Sequence, residues 1–119
     1  MPSSTENLAA RNAVIGQLVA RLAAGEYEEV VRLAPRSRVS AQEIEAAVRQ
    51  YGRHLIPLPA QAYELIDYVA VRNTTPSEWS VVVPLFTEEE GRSDLSLELS
   101  MVEVKPCNFE VQVDDIHVL

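Results

Sequence analysis

The feature that most constrains this chain is a change of hydrophobic period part-way along it. Up to Tyr51, apolar residues recur at spacings of three and four, the signature of helices with one buried stripe. From Val69 onward they alternate with polar residues, the signature of strands with one buried face. Between the two lies His54-Leu55-Ile56-Pro57-Leu58-Pro59, where two prolines two residues apart exclude a regular helix or a central strand, so the segment reads as a connector. Helices first and strands last, without alternation, predict an α+β fold: about three N-terminal helices on one face of a roughly four-stranded antiparallel sheet. At 119 residues the expectation is a single domain, 1–119, helical over about 5–53 and sheet over about 67–119.

The first helix is expected over Leu8 to Ala24, with Leu8, Ile15, Leu18, Val19 and Leu22 on its stripe, Ser4 or Thr5 as its cap and Gly25 as its end. A shorter helix carries Tyr27, Val30, Val31 and Ala34 and stops at Pro35. Ser40-Ala41-Gln42-Glu43 has the capping-box pattern, which places a third helix over Ala41–Tyr51 with Gly52 as its left-handed exit. Strands are expected around Val69 and Val71, over Trp79–Phe86, over Leu95–Met101 and from Phe109 onward. Pro84 predicts a bulge or strand end, and Asp114-Asp115 interrupts the last alternation.

Ten Lys and Arg stand against 18 Asp and Glu, a formal charge of −8, which disfavours a phosphate backbone or an anionic lipid surface as partner. No run of about 18 uncharged apolar residues is present, and Cys107 is the sole cysteine, so neither a membrane span nor an internal disulfide is expected. The N-terminus lacks the pattern of a secretory signal, and a cytoplasmic location is the default expectation.

The segment from Trp79 to Leu99, with its W-S-V start, P-L-F-T step and E-E-G-R-S-D-L-S-L-E-L run, together with Asp114 to Leu119, resembles a small bacterial family of unknown function. That resemblance implies no activity and no site residue. A looser likeness, at the level of fold only, is to cystatin-like domains of the nuclear-transport-factor-2 type, in which helices pack on a curved sheet and can enclose a pocket.

The densest chemistry lies in Glu88-Glu89-Glu90-Gly91-Arg92-Ser93-Asp94, four carboxylates, a guanidinium and a hydroxyl around one glycine. Three readings compete: a charged hairpin tip, a recognition loop facing a basic partner, and a divalent-cation site. The spacing does not fit the calcium loop D-x-(D/N)-x-(D/N)-G, so no metal is expected. Asp114, Asp115 and His117 offer two carboxylates and an imidazole, but strand alternation places only Asp115 and His117 on one face, and a third ligand would have to come from elsewhere. Tyr63, Tyr68, Trp79, Phe86 and Tyr51 are candidates to line a pocket mouth, with plain core as the simpler reading. GxGxxG, GxxxxGK(S/T), HExxH and GxSxG are absent, so no cofactor is expected.

The leading expectation is therefore a small acidic, non-enzymatic binding or protein-interaction domain, of an immunity or regulatory type, whose loop Glu88, Glu89, Glu90, Arg92, Ser93 and Asp94 contributes to the contact surface. The alternative is a pocket-bearing enzyme or small-ligand binder with Tyr63, Trp79, Asp115 and His117 in its cavity. A third, a subunit of a homo-oligomer, requires the row Val82, Pro84 and Phe86 to form an open apolar face.

Overall fold

In the computed structural model, which describes residues 3–119, α1 runs over Ser4–Ala23. Ser3 is its cap, one residue before the expected pair, and its Oγ accepts the Glu6 N–H at 3.1 Å. Ile15, Leu18, Val19 and Leu22 are buried as the spacing requires, whereas Leu8 is 41% exposed. The residues that meet the sheet at that end are instead Asn7 and Arg11, one helical turn apart, so the inward stripe of α1 is polar at its start. Gly25, at φ +76, turns the chain into α2, Tyr27–Leu33, which buries Val30. The capping box closes at Ser40 and Glu43 in both directions, at 3.1 Å each, and α3 covers Ala41–Tyr51 before Gly52.

The strands are β1 (Leu55–Ile56), β2 (Asp67–Ala70), β3 (Glu78–Thr87), β4 (Gly91–Lys105) and β5 (Asn108–Val118), with a 3-10 turn over Ala60–Leu65. The order β1-β3-β4-β5 is antiparallel throughout, and β2 also pairs with β3. Leu55 and Ile56 lie opposite Thr87 and Phe86, while Asp67 to Ala70 lie opposite Val82 to Trp79, so β1 and β2 follow one another along the same edge of β3. The expected connector thus contains a two-residue strand. It can pair because Pro57 begins only after Ile56, and an edge position demands few ladder bonds.

Two irregularities shape the sheet. Pro84 pairs with Ser96 and Phe86 with Arg92, so Leu85 faces three residues, 93–95. Ser93 fills this gap: its buried hydroxyl donates to the Leu85 carbonyl at 2.7 Å and accepts the Leu95 N–H at 3.2 Å. On β5, Glu98 pairs with Asp115 and Leu99 with Val113, which leaves Asp114 as the extra residue of a bulge.

The core forms where α1, α2 and α3 cover one face of this curled sheet. Ile15, Leu18, Leu22, Ile44, Val81, Val83, Leu97, Leu99 and Met101 are all essentially inaccessible. The opposite face is polar, carrying Ser80, Glu98, Ser100, Gln112 and Asp114. The open apolar row expected there does not exist, because Pro84 and Phe86 are buried and Val82 is half-buried. The free side of β5 is closed in part by the α2–α3 loop: Arg38 N–H donates to the Val113 carbonyl, and Val113 N–H donates to Ser37 Oγ, each at 2.9 Å. Leu119 N–H donates to the Asp94 carbonyl at 3.2 Å, so the last residue is held against the sheet.

Candidate functional site

The acidic segment begins where β3 ends and occupies the hairpin tip between β3 and β4, with Gly91 at φ +74 starting the return strand. Two of its three glutamates are spent on the chain itself. Glu89 accepts the His54 backbone N–H at 2.9 Å and lies 2.6 Å from His54 Nδ1, and the Glu88 N–H donates to the His54 carbonyl at 2.9 Å. Glu90 accepts from the Tyr51 hydroxyl at 2.9 Å and from the Thr87 hydroxyl at 3.0 Å. Tyr51 Oη in turn accepts the Asp94 N–H at 3.1 Å. The end of α3, β1 and the hairpin tip are therefore tied at one place by Tyr51, His54, Thr87, Glu89 and Glu90.

This clasp has an electrostatic signature. The hydrogen bond from its ring to Glu89, reinforced by the charge of Glu89, raises the His54 pKa above its ordinary 6.5. Glu89 is held below its ordinary 4.5, first by the His54 backbone N–H and then by the His54 ring. Ser93, one of the expected contact residues, faces inward on the Leu85 and Leu95 backbone. Glu88, Arg92 and Asp94 are exposed and present their side chains outward from the pinned tip.

Of the residues proposed for a shared pocket, Tyr51 and His117 line one surface groove, whereas Tyr63 and Trp79 are placed elsewhere. Tyr63 sits beneath α1 with its hydroxyl where a Cβ on residue 16 would stand, which explains Gly16 inside a helix. Trp79 packs edge-on to Phe109, centroids 5.6 Å apart, and lies under the Arg11 guanidinium at 4.7 Å. Arg11 also stacks over Tyr68 at 4.5 Å, and the Tyr68 hydroxyl donates to Asn12 at 2.6 Å. Burial pushes the Tyr68 pKa up to about 12 even though the Arg11 charge pulls the other way. These aromatics join α1 to the sheet. Among the described residues no buried side-chain nitrogen or oxygen lacks a hydrogen-bond partner.

Asp115 and His117 lie away from those aromatics, on the sheet face opposite the buried leucines. His117 Nδ1 is 2.8 Å from Asp115 Oδ2, and His117 Nε2 is 3.0 Å from Glu98 Oε2 on the neighbouring strand. Asp114 does not turn to the other face as simple alternation required. The bulge keeps it on the same side, where it accepts from Ser100 at 2.6 Å and Gln112 at 2.8 Å, with Arg38 Nε 3.6 Å away. Glu98 was not among the expected site residues. Its one sequence signal was the apolar spacing Val111, Val113, Ile116, whose step of three marks an inserted residue, while strand pairing sets Glu98 opposite Asp115.

A domain-of-unknown-function family model, DUF7668, matches residues 19–119. The chain belongs to this family. The DUF7668 match spans everything from the last turns of α1 through the clasp, the hairpin tip and the Glu98–His117 cluster. No curated protein and no solved structure matches the chain. No helix among the described residues is long and apolar enough to cross a membrane.

Proposed function

We propose that this DUF7668 chain is a non-enzymatic protein-interaction domain, of the kind that serves as an immunity or regulatory partner, and that the β3–β4 hairpin tip is its contact surface. The observation that carries this reading is the clasp. Glu89 and Glu90 hold the tip to α3 and to His54 just before β1, so Glu88, Arg92 and Asp94 are offered from a fixed frame. A preorganised loop loses less conformational freedom on binding than a floppy one, and Arg92 adds a fork suited to a carboxylate. The net charge of −8 draws a basic partner by long-range steering. A pocket enzyme is the weaker reading, because Tyr63 and Trp79 are spent in the α1–sheet contact while Asp115 and His117 lie elsewhere.

The test replaces Glu88, Arg92 and Asp94 together by alanine and compares cross-linked partners by mass spectrometry with those of the unaltered chain. Loss of a specific partner, with the fold unchanged by circular dichroism, is the expected result. An identical partner set from both proteins would refute the tip as the contact surface.

A further inference from the structure

We propose that Glu98 and His117, with Asp115 behind the imidazole, form a binding site for one divalent transition-metal ion such as Zn2+ on the polar face of the sheet. The three side chains come from two adjacent strands, and one ligating atom from each lies within 4.8 Å of the other two. Register brings them together: Glu98 pairs with Asp115, and His117 sits two pairs further along on the same face, opposite Ser96. The Asp114 bulge matters here, because Ser100, Gln112 and Arg38 occupy Asp114 and leave Asp115 for His117.

The imidazole presents a specific chemical demand. Both of its ring nitrogens face a carboxylate oxygen, at 2.8 and 3.0 Å. A neutral imidazole has one N–H, so if Nδ1 donates to Asp115, the Nε2 lone pair points at Glu98 and a positive species must stand between them. A proton meets that demand, and so does a metal ion. Two ligand atoms on bonds of about 2.1 Å, spread between a right angle and a tetrahedral angle, are about 3.0–3.4 Å apart, which matches the Nε2 to Glu98 separation. Asp115 then performs the orienting role that carboxylates behind metal-bound imidazoles perform, fixing the tautomer through Nδ1–H. A nitrogen donor beside a carboxylate suits zinc and its neighbours better than magnesium or calcium. His117, Glu98 and Asp115 retain 34%, 38% and 54% side-chain exposure, which leaves the remaining coordination positions to water. The surplus of carboxylates over the whole chain further favours a cation.

The test is calorimetric titration of the full chain with zinc chloride, with magnesium chloride as the comparison and nitrogen-15 spectra of the histidine rings as the site-specific readout. One zinc per chain, a shift of the His117 Nε2 resonance and retention of the Nδ1 proton are expected, with no heat from magnesium. His117→Ala and Glu98→Gln should each abolish that binding, Asp115→Asn should weaken it by about 10–100-fold, and His54→Ala should leave it unchanged. Because Glu98 is partly exposed, Glu98→Gln keeps the fold even if His117→Ala does not. The absence of zinc binding, its survival in Glu98→Gln or His117→Ala, or its loss in His54→Ala overturns the site.

Discussion

The two acidic regions of this sheet, the hairpin tip from Glu88 to Asp94 and the strand pair around Glu98, Asp115 and His117, use their carboxylates in opposite ways. At the tip, Glu89 and Glu90 meet groups supplied by the end of α3 and the residue before β1, namely Tyr51 and His54. On the sheet face, Glu98 and Asp115 share one imidazole, and Asp115 otherwise accepts only the neighbouring Ile116 N–H at 2.9 Å among the described residues. Density of charge along the chain marked the first region as the richer one. What separates them is the supply of partners: half of the carboxylates in the dense cluster brace the chain itself, and the sparse one keeps ligating atoms facing one another.

The largest test of this contrast compares the two faces of β4. Leu99→Ala, in the wholly buried row, is expected to cost about 2–5 kcal/mol in urea unfolding, whereas Ser100→Ala on the polar face loses only its hydrogen bond to Asp114, about 1.5 kcal/mol. Similar costs at both positions would mean that the polar face is packed against something and cannot present a site. Smaller, but specific to the clasp, is Tyr51→Phe. It removes the donor to Glu90 and the acceptor of the Asp94 N–H, and about 0.5–1.5 kcal/mol of stability should be lost. The part of that loss owed to Glu90 should disappear in a Glu90→Ala background, leaving the part owed to the Asp94 N–H.

The smallest effect is in the pH dependence. Because the folded pKa of His54 is raised, its contribution is fully present below 6.5 and fades as pH rises through the folded value. Because that of Glu89 is lowered, its contribution is present above 4.5 and fades as pH falls through the folded value. The pair therefore stabilises the tip most between about 4.5 and 6.5, and Glu89→Gln should flatten that window and return the His54 titration midpoint towards 6.5. A His54 midpoint that does not move in Glu89→Gln would break the link between the two residues.

The helical half was the more legible part of the sequence because its signals are local. The Ser40–Glu43 box, Pro35 and Gly52 each act within one turn, and α3 falls over the expected Ala41–Tyr51. The sheet was legible in its alternation but not in its register, which depends on pairing between distant segments. That is why β1 was read as connector and why Asp114 was expected to point away from Asp115. The fate of the tip was hidden for the same reason: nothing near Glu89 and Glu90 in sequence reveals that Tyr51 and His54, more than thirty residues earlier, will complete them. Glu98 looked like an ordinary outward strand residue until the bulge set what lay beside it.

Whether the tip is a fixed frame is measured most directly by nitrogen-15 relaxation of the backbone from Glu88 to Asp94. Order parameters of about 0.85, equal to those of the flanking strands, are expected if Tyr51 and His54 hold the tip as described. Values under about 0.6, with the strands rigid, would show a loose loop and contradict both the clasp and the preorganised contact surface built on it.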